Sequence, residues 1–204
     1  MTNTTKRILT AIGMVTVIAI AAYFGLIRWL SVAIAAGMIA EFVRNKIKTK
    51  TKGMYLVFAY SLLFLVSAYF VSVKPWIMFL LFLIIASTDT GAWFFGKKIG
   101  GDKMWPSLSP GKTWAGQIAG IICGTSASIM YGLLGTDVFL PSLMWIGMGV
   151  ALLSQYGDLA ASAIKRKFGI KDFANYLPGH GGLLDRFDGW IFVLPIVWIA
   201  TVLG

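Results

Sequence analysis

Apolar stretches of roughly 20 residues recur along this chain, and they restrict its fold more than any other feature. Wound as an α-helix, a run of that length matches the ~30 Å hydrocarbon core of a bilayer. Taken in order, the runs predict seven spans, near 8–26, 27–43, 54–73, 76–96, 113–134, 142–161 and 187–203. They are continuously apolar, whereas the strands of a membrane barrel alternate and are about half as long. The expected fold is therefore all-α, a polytopic transmembrane helical bundle. It is read as one membrane domain over 1–204, with N-terminal spans in 1–75 and the later spans and their loops in 76–204. Lys6 and Arg7 precede the first run as they would in a signal peptide, but the run is closer to a full span and is read as the first transmembrane helix.

Charge orients these spans. Lys6 and Arg7 stand before the first; Arg44, Lys46, Lys48, Lys50 and Lys52 follow the second; Lys97, Lys98, Lys103 and Lys112 follow the fourth; Lys165, Arg166, Lys167, Lys171 and Arg186 precede the last. Sixteen of the 18 basic residues thus occupy alternate segments, leaving only Arg28 and Lys74 for the other side. Positive-inside reasoning puts the N-terminus and three loops in the cytoplasm. A formal charge of +10 suits nucleic acid, anionic lipid heads or phosphorylated substrates in general. Here orientation accounts for most of it, the loop from Arg44 is read as touching anionic lipid heads, and no nucleic acid is expected. Cys123 is the single cysteine, so a disulfide framework and a Cys-based zinc site are excluded.

Acids are scarce, and seven of the eight fall on the expected cytoplasmic side, with Asp137 the exception. An ionised group inside a span costs roughly 2.5–3.5 kcal/mol on insertion scales, so Asp89 is expected to face a polar cavity or a partner. Glu41 reads equally as a functional acid or as a snorkelling residue at a span end. From Gly157 the chain runs GDLAASAIKRKFGIKDFANYLPGHGGLLDRFD. If the sixth span continues as helix, Asp158, Ser162 and Lys165 share one face, which suits a metal-bound phosphate better than it suits lipid. The glycines around His180 permit close backbone approach, and their N–H groups can cradle an anion. Asp185 and Asp188 follow near the start of the last helix. Oxygen-only ligands of this kind suit Mg²⁺, although acids at a helix N-terminus are also simply stabilising. His180, the one histidine, fits proton transfer, phosphate contact or a hydrogen bond within its turn.

The middle loop, DTGAWFFGKKIGGDKMWPSLSPGKTWAG, ends in Gly111-Lys112-Thr113 opening a helix. A full phosphate loop is excluded, because Pro106 stands where the first glycine belongs and no strand is expected ahead of it. A Gly-Lys-Thr at a helix N-terminus can still hold phosphate through Lys112 and free N–H groups.

Ser162, Lys165-Arg166, Lys171-Asp172, Pro178 through Gly182 and Asp185-Arg186-Phe187-Asp188 together resemble the C-terminal pattern of the phosphatidate cytidylyltransferase family, the CDP-diacylglycerol synthases. Upstream, Asp89-Thr90-Gly91-Ala92 and Ser109-Pro110-Gly111-Lys112-Thr113 are similar to further family elements, and Arg7 and Glu41-Phe42 match loosely. The chain departs from the family at Ala161, usually Glu, and at Ala115, often Glu or Gln. The resemblance implies transfer of a cytidylyl group from CTP to phosphatidate, with Mg²⁺ as cofactor and release of pyrophosphate. It further implies metal binding by Asp158 and Asp185 with Asp188 as helper, a phosphate on Lys165 beside Ser162, and other phosphates on Lys112 and on Gly179, His180, Gly181 and Gly182. Asp89, Ser109, Thr113, Arg166, Lys171 and Arg186 complete the expected substrate-binding set. CTP, phosphatidate and membrane lipids are the expected partners, and a homo-oligomer is compatible with them. The rival readings are a CTP-dependent lipid kinase of the polyprenol type and a cation transporter lined by Asp89 and Asp158; the apolar outer halves of spans four and six speak against the transporter.

Overall fold

The computed structural model describes residues 13, 16–17, 20–21, 23–49, 55–71, 74–134, 139–167, 169–173 and 182–203, with the side chains of 42, 44–49, 55–61 and 71 excepted. Most of the first span, and with it Lys6 and Arg7, lies outside the described residues, as do Asp137, Gly179, His180 and Gly181. The other six apolar stretches are helical: α1 (Ile27–Thr49), α2 (Tyr55–Val71), α3 (Pro75–Ile99), α4 (Trp114–Leu133), α5 (Leu140–Lys167) and α6 (Asp188–Leu203). The architecture is mostly helical, as expected. Among the described residues, α3 is long and apolar enough to cross a membrane, and α6 is a shorter apolar helix.

One element departs from the all-α expectation. β1 (Lys103–Trp105) and β2 (Ser109–Thr113) form an antiparallel hairpin, with Lys103 opposite Thr113 and Trp105 opposite Ser109. Gly100 and Gly101, at φ +70° and +85°, turn the chain out of α3 in a conformation that side chains with a Cβ rarely adopt. Leu108 N–H closes the turn on Trp105 O at 3.1 Å. A short strand therefore does lead into α4, contrary to the expectation, and Gly111, Lys112 and Thr113 belong to it.

The chain divides into two compact units, 1–75 with 164–204, and 76–163. In the first, α2 packs against both α1 and α6. Phe70 stacks on Trp198 with centroids 5.5 Å apart, and Phe64 meets Phe187 at 6.0 Å. The last turn of α5 carries Lys165, Arg166 and Lys167, favourable at the negative end of a helix dipole. Gly169, at φ +67°, ends the helix, with Gly169 N–H on Arg166 O and Ile170 N–H on Lys165 O, both 3.0 Å.

In the second unit α3, α4 and α5 meet along small residues. Gly116, Gly120, Gly124, Ser128 and Gly132, four apart on α4, are all buried. This spacing keeps one helix face flat, so neighbouring backbones approach closely. A methyl added at Gly124 would run into Thr88 Oγ1, with Ala151 Cβ at 3.1 Å and Ile84 Cγ2 at 3.3 Å. Gly124→Ala should therefore lower stability by about 1–3 kcal/mol through overpacking. Gly149 on α5, where an added methyl meets nothing within 4 Å, provides the control. Gly149→Ala should be neutral or slightly stabilising. Thermal midpoints of the purified variants check both.

Candidate active site

Two groups of polar residues emerge, one in each unit. In the second unit the turn of α3 after Asp89, the hairpin, the start of α4 and the middle of α5 enclose a cavity of about 660 Å³. That is within the usual range for small-molecule sites. Its wall includes Asp89, Ser109, Lys112, Thr113 and Asp158 from the expected set. The sequence reading missed Lys97, Lys103, Gln117 and Gln155, which also line it.

Lys112 is delivered by β2, and its ammonium pairs with Asp158 Oδ2 at 2.7 Å while reaching Gln155 O at 3.4 Å. Both side chains keep solvent access, 25% for Lys112 and 39% for Asp158, so a ligand can reach the pair. Lys97 and Lys103 are exposed at the same cavity, and the Lys97 ammonium lies 5.7 Å from the centre of the Trp93 ring. Three ammonium groups thus share one concave wall with two carboxylates, an arrangement suited to a polyanion accompanied by a cation.

Thr113 caps α4. Its Oγ1 accepts from Gly116 N–H at 3.1 Å and the residue is buried, so its hydroxyl is engaged in the fold. Trp114 N–H is likewise engaged, by Asp102 O at 3.1 Å. Gln155 Nε2 donates to Gln117 O at 3.2 Å, joining α5 to α4 behind the cavity wall. Gln117 is buried, and among the described residues its own Nε2 has no hydrogen-bond partner. Ser162 lies half-buried further along α5, and Ala161 beside it is buried.

In the first unit Lys165 is the hub. Its ammonium is 2.9 Å from Asp185 Oδ1 and 3.5 Å from Asp188 Oδ2, and it lies 5.7 Å from the Phe173 ring centre. Asp185 Oδ2 accepts from Phe173 N–H at 2.9 Å and from Gly182 N–H at 3.0 Å. Both oxygens of this carboxylate are therefore engaged, which bears on its expected use as a metal ligand. The one described glycine of the expected anion cradle, Gly182, likewise directs its N–H at a protein carboxylate. Asp188 opens α6 and accepts from Gly189 N–H at 2.9 Å.

Arg166, Lys171 and Arg186 are exposed; the Arg166 guanidinium donates to Ile170 O at 3.3 Å. Glu41, which the sequence left open, is 1% exposed and belongs to this group, with Leu183 N–H on Oε1 at 2.6 Å and Leu184 N–H on Oε2 at 3.0 Å. Among the described residues no three His, Cys, Asp or Glu side chains gather as a ready-made metal cage.

Comparison with known proteins agrees with this chemistry. The model of the cytidylyltransferase family matches residues 54–203. A phosphatidate cytidylyltransferase of Staphylococcus aureus (strain COL) is 46% identical over 125 residues, covering 59% of this chain and 47% of that protein. Those of Staphylococcus saprophyticus and Staphylococcus epidermidis are 43% identical over 122 and 124 residues, with the same shares covered. The chain spans about half the length of the curated relatives it matches. The matched region contains both the lysine-lined cavity and the Lys165 group, and the chain belongs to the cytidylyltransferase family.

Proposed function

We propose that this chain transfers a cytidylyl group from CTP to phosphatidate, forming CDP-diacylglycerol and pyrophosphate at the cytoplasmic face of a bacterial plasma (inner) membrane. The observation that carries the reading is the cavity in which Lys97, Lys103 and Lys112 stand with Asp89 and Asp158. A phosphate oxygen of phosphatidate would attack the CTP α-phosphorus; that O–P bond forms as the α–β bridging bond breaks, and the electron pair leaves on pyrophosphate. Negative charge grows on the leaving group in such a transfer, and fixed ammonium groups stabilise it without reorganising. Lys112 is the best placed for this, because Asp158 and Gln155 O already hold its ammonium at the cavity wall.

The oxygen donors Asp89 and Asp158 fit Mg²⁺, which is commonly bound by one or two carboxylates together with substrate phosphates. When bound, the ion would offset charge on the triphosphate. Asp158 is the assigned ligand. Each of the expected ligands is tied to a lysine, Asp158 to Lys112 and Asp185 and Asp188 to Lys165, and Asp158 is the most exposed of the three. To the Lys165 group we assign a supporting contact with substrate phosphate.

Membrane residence is supported by the apolar length of α3 and by exposed Phe79, Ile118, Ile122, Met130 and Leu133, which lipid would cover. The alternation of basic segments supports seven spans with a cytoplasmic N-terminus. The deciding experiment supplies purified protein with CTP labelled at the α-phosphorus, phosphatidate vesicles and Mg²⁺. Label should pass into a CDP-lipid with one pyrophosphate released per turnover, and chelation of Mg²⁺ should stop it. Label remaining in free CDP while the lipid gains an unlabelled phosphate would instead indicate a kinase.

A further inference from the structure

Glu41 is a buried carboxylate for which the transfer chemistry has no direct use. It sits on α1, 142 and 143 residues before the two backbone groups that bind it. At 1% exposure an ionised carboxylate must be compensated. The compensation here comes from the consecutive N–H groups of Leu183 and Leu184, at 2.6 and 3.0 Å. One carboxylate gripping two successive N–H groups fixes the peptide planes on both sides of Leu183. With Gly182 N–H on Asp185 Oδ2 at 3.0 Å, three successive N–H groups face protein carboxylates. Successive N–H groups can hold an anion, and here the carboxylates of Glu41 and Asp185 take all three.

The surroundings are shaped to the grip. A methyl added at Gly182 would lie 2.7 Å from Glu41 Oε2 and 3.0 Å from its Cδ, so only glycine leaves room for the carboxylate. One helical turn before Glu41, Gly37 provides a hollow for Leu183; a methyl added there would lie 2.6 Å from Leu183 Cδ1. The very next residue after the gripped pair is Asp185, which orients Lys165.

We infer that Glu41 is a positioning residue: by clamping the backbone at Leu183 and Leu184 it sets where Asp185 stands, and through Asp185 it sets the Lys165 ammonium. The inference rests on the proposed reading only in that the Lys165 group serves the transfer reaction; the clamp itself is independent of it.

The test uses the full chain in lipid, with Glu41→Gln, which conserves volume but turns one acceptor into a donor, and Glu41→Ala. Amide exchange at Leu183 and Leu184 should quicken by about tenfold or more in Glu41→Gln while α3 to α5 exchange as in the parent. Its kcat per folded molecule should fall about 10- to 100-fold, with KM for CTP changed less than about threefold, as misplacement of a working group predicts. In an Asp185→Asn background the same substitution should cost less than about threefold, because the two act through one path. Unchanged exchange at both amides in Glu41→Gln, or in a folded Glu41→Ala, overturns the clamp. Faster exchange with parental kcat, or losses that multiply in the double variant, overturns the positioning role. A parent chain that makes no CDP-lipid sinks the proposed function instead, and the exchange arm still decides the clamp.

Discussion

Lys112→Met is expected to lower kcat/KM for CTP by about a thousandfold while leaving the thermal midpoint almost unchanged. The stability side follows from exposure: Lys112 and Asp158 keep 25% and 39% of their side-chain surface, so their 2.7 Å pair is screened by water and is worth at most about 1 kcal/mol. The activity side follows from where the ammonium points. It stands on the wall of the cavity with Lys97 and Lys103, and removing one preorganised charge aimed at a developing anion typically costs about 10²–10³-fold. Lys112→Arg should recover only part of the loss, since a planar fork does not reproduce a compact ammonium between Asp158 and Gln155 O. Asp158→Asn should fall to a similar level, and the double variant should be far better than the product of the single losses, because the two residues act as one unit. Steady-state kinetics on folded, monodisperse protein reads all four. Lys112→Met within about threefold of the parent would remove the cavity from the reaction.

Much of the fold could be read from apolar run length, since a stretch of twenty apolar residues has few options besides a helix. The helices α1 to α6 lie where six such runs were marked. The hairpin could not be read so easily. Lys103-Met104-Trp105 is too short to show alternation, and Pro110 and Gly111 within β2 are poor strand formers that an edge position tolerates. In the candidate site, scarcity of acids picked out Asp89, Asp158, Asp185 and Asp188, because charge among apolar residues needs a physical reason. Pairing was illegible. Lys112 and Asp158 are 46 positions apart, and spacing along one helix had suggested instead that Asp158 works beside Lys165, whose ammonium turns out to be held by Asp185 and Asp188. Gln117 and Gln155, single uncharged polar residues within apolar runs, give no sequence signal of the cavity wall that they form together. The role of Glu41 is illegible in the sequence, since its partners are main-chain N–H groups that leave no mark there.

Lys165→Met should be strongly destabilising, lowering the thermal midpoint by about 10 °C. Asp185 and Asp188 keep only 3% and 15% of their side-chain surface and share the one ammonium at 2.9 and 3.5 Å. Methionine fills the volume but leaves two adjacent carboxylates without the cation between them. Stranding a buried charge in this way costs about 3–5 kcal/mol, or roughly 2–4 °C per kcal/mol in a chain of this size. The N–H groups of Phe173 and Gly182 continue to compensate Asp185, and that of Gly189 continues to compensate Asp188, so what the substitution exposes is the repulsion between the two carboxylates. Asp188→Asn placed on Lys165→Met should then regain about half of the lost midpoint, a coupling that unrelated sites would not show. The same pair of variants separates two uses of the ammonium. If Lys165 served substrate phosphate alone, Lys165→Met would melt within about 2 °C of the parent and lose only turnover. A drop near 10 °C with partial rescue identifies the ion-pair group as part of what holds the loop before α6 in place, and makes its contribution to catalysis one of geometry as well as charge.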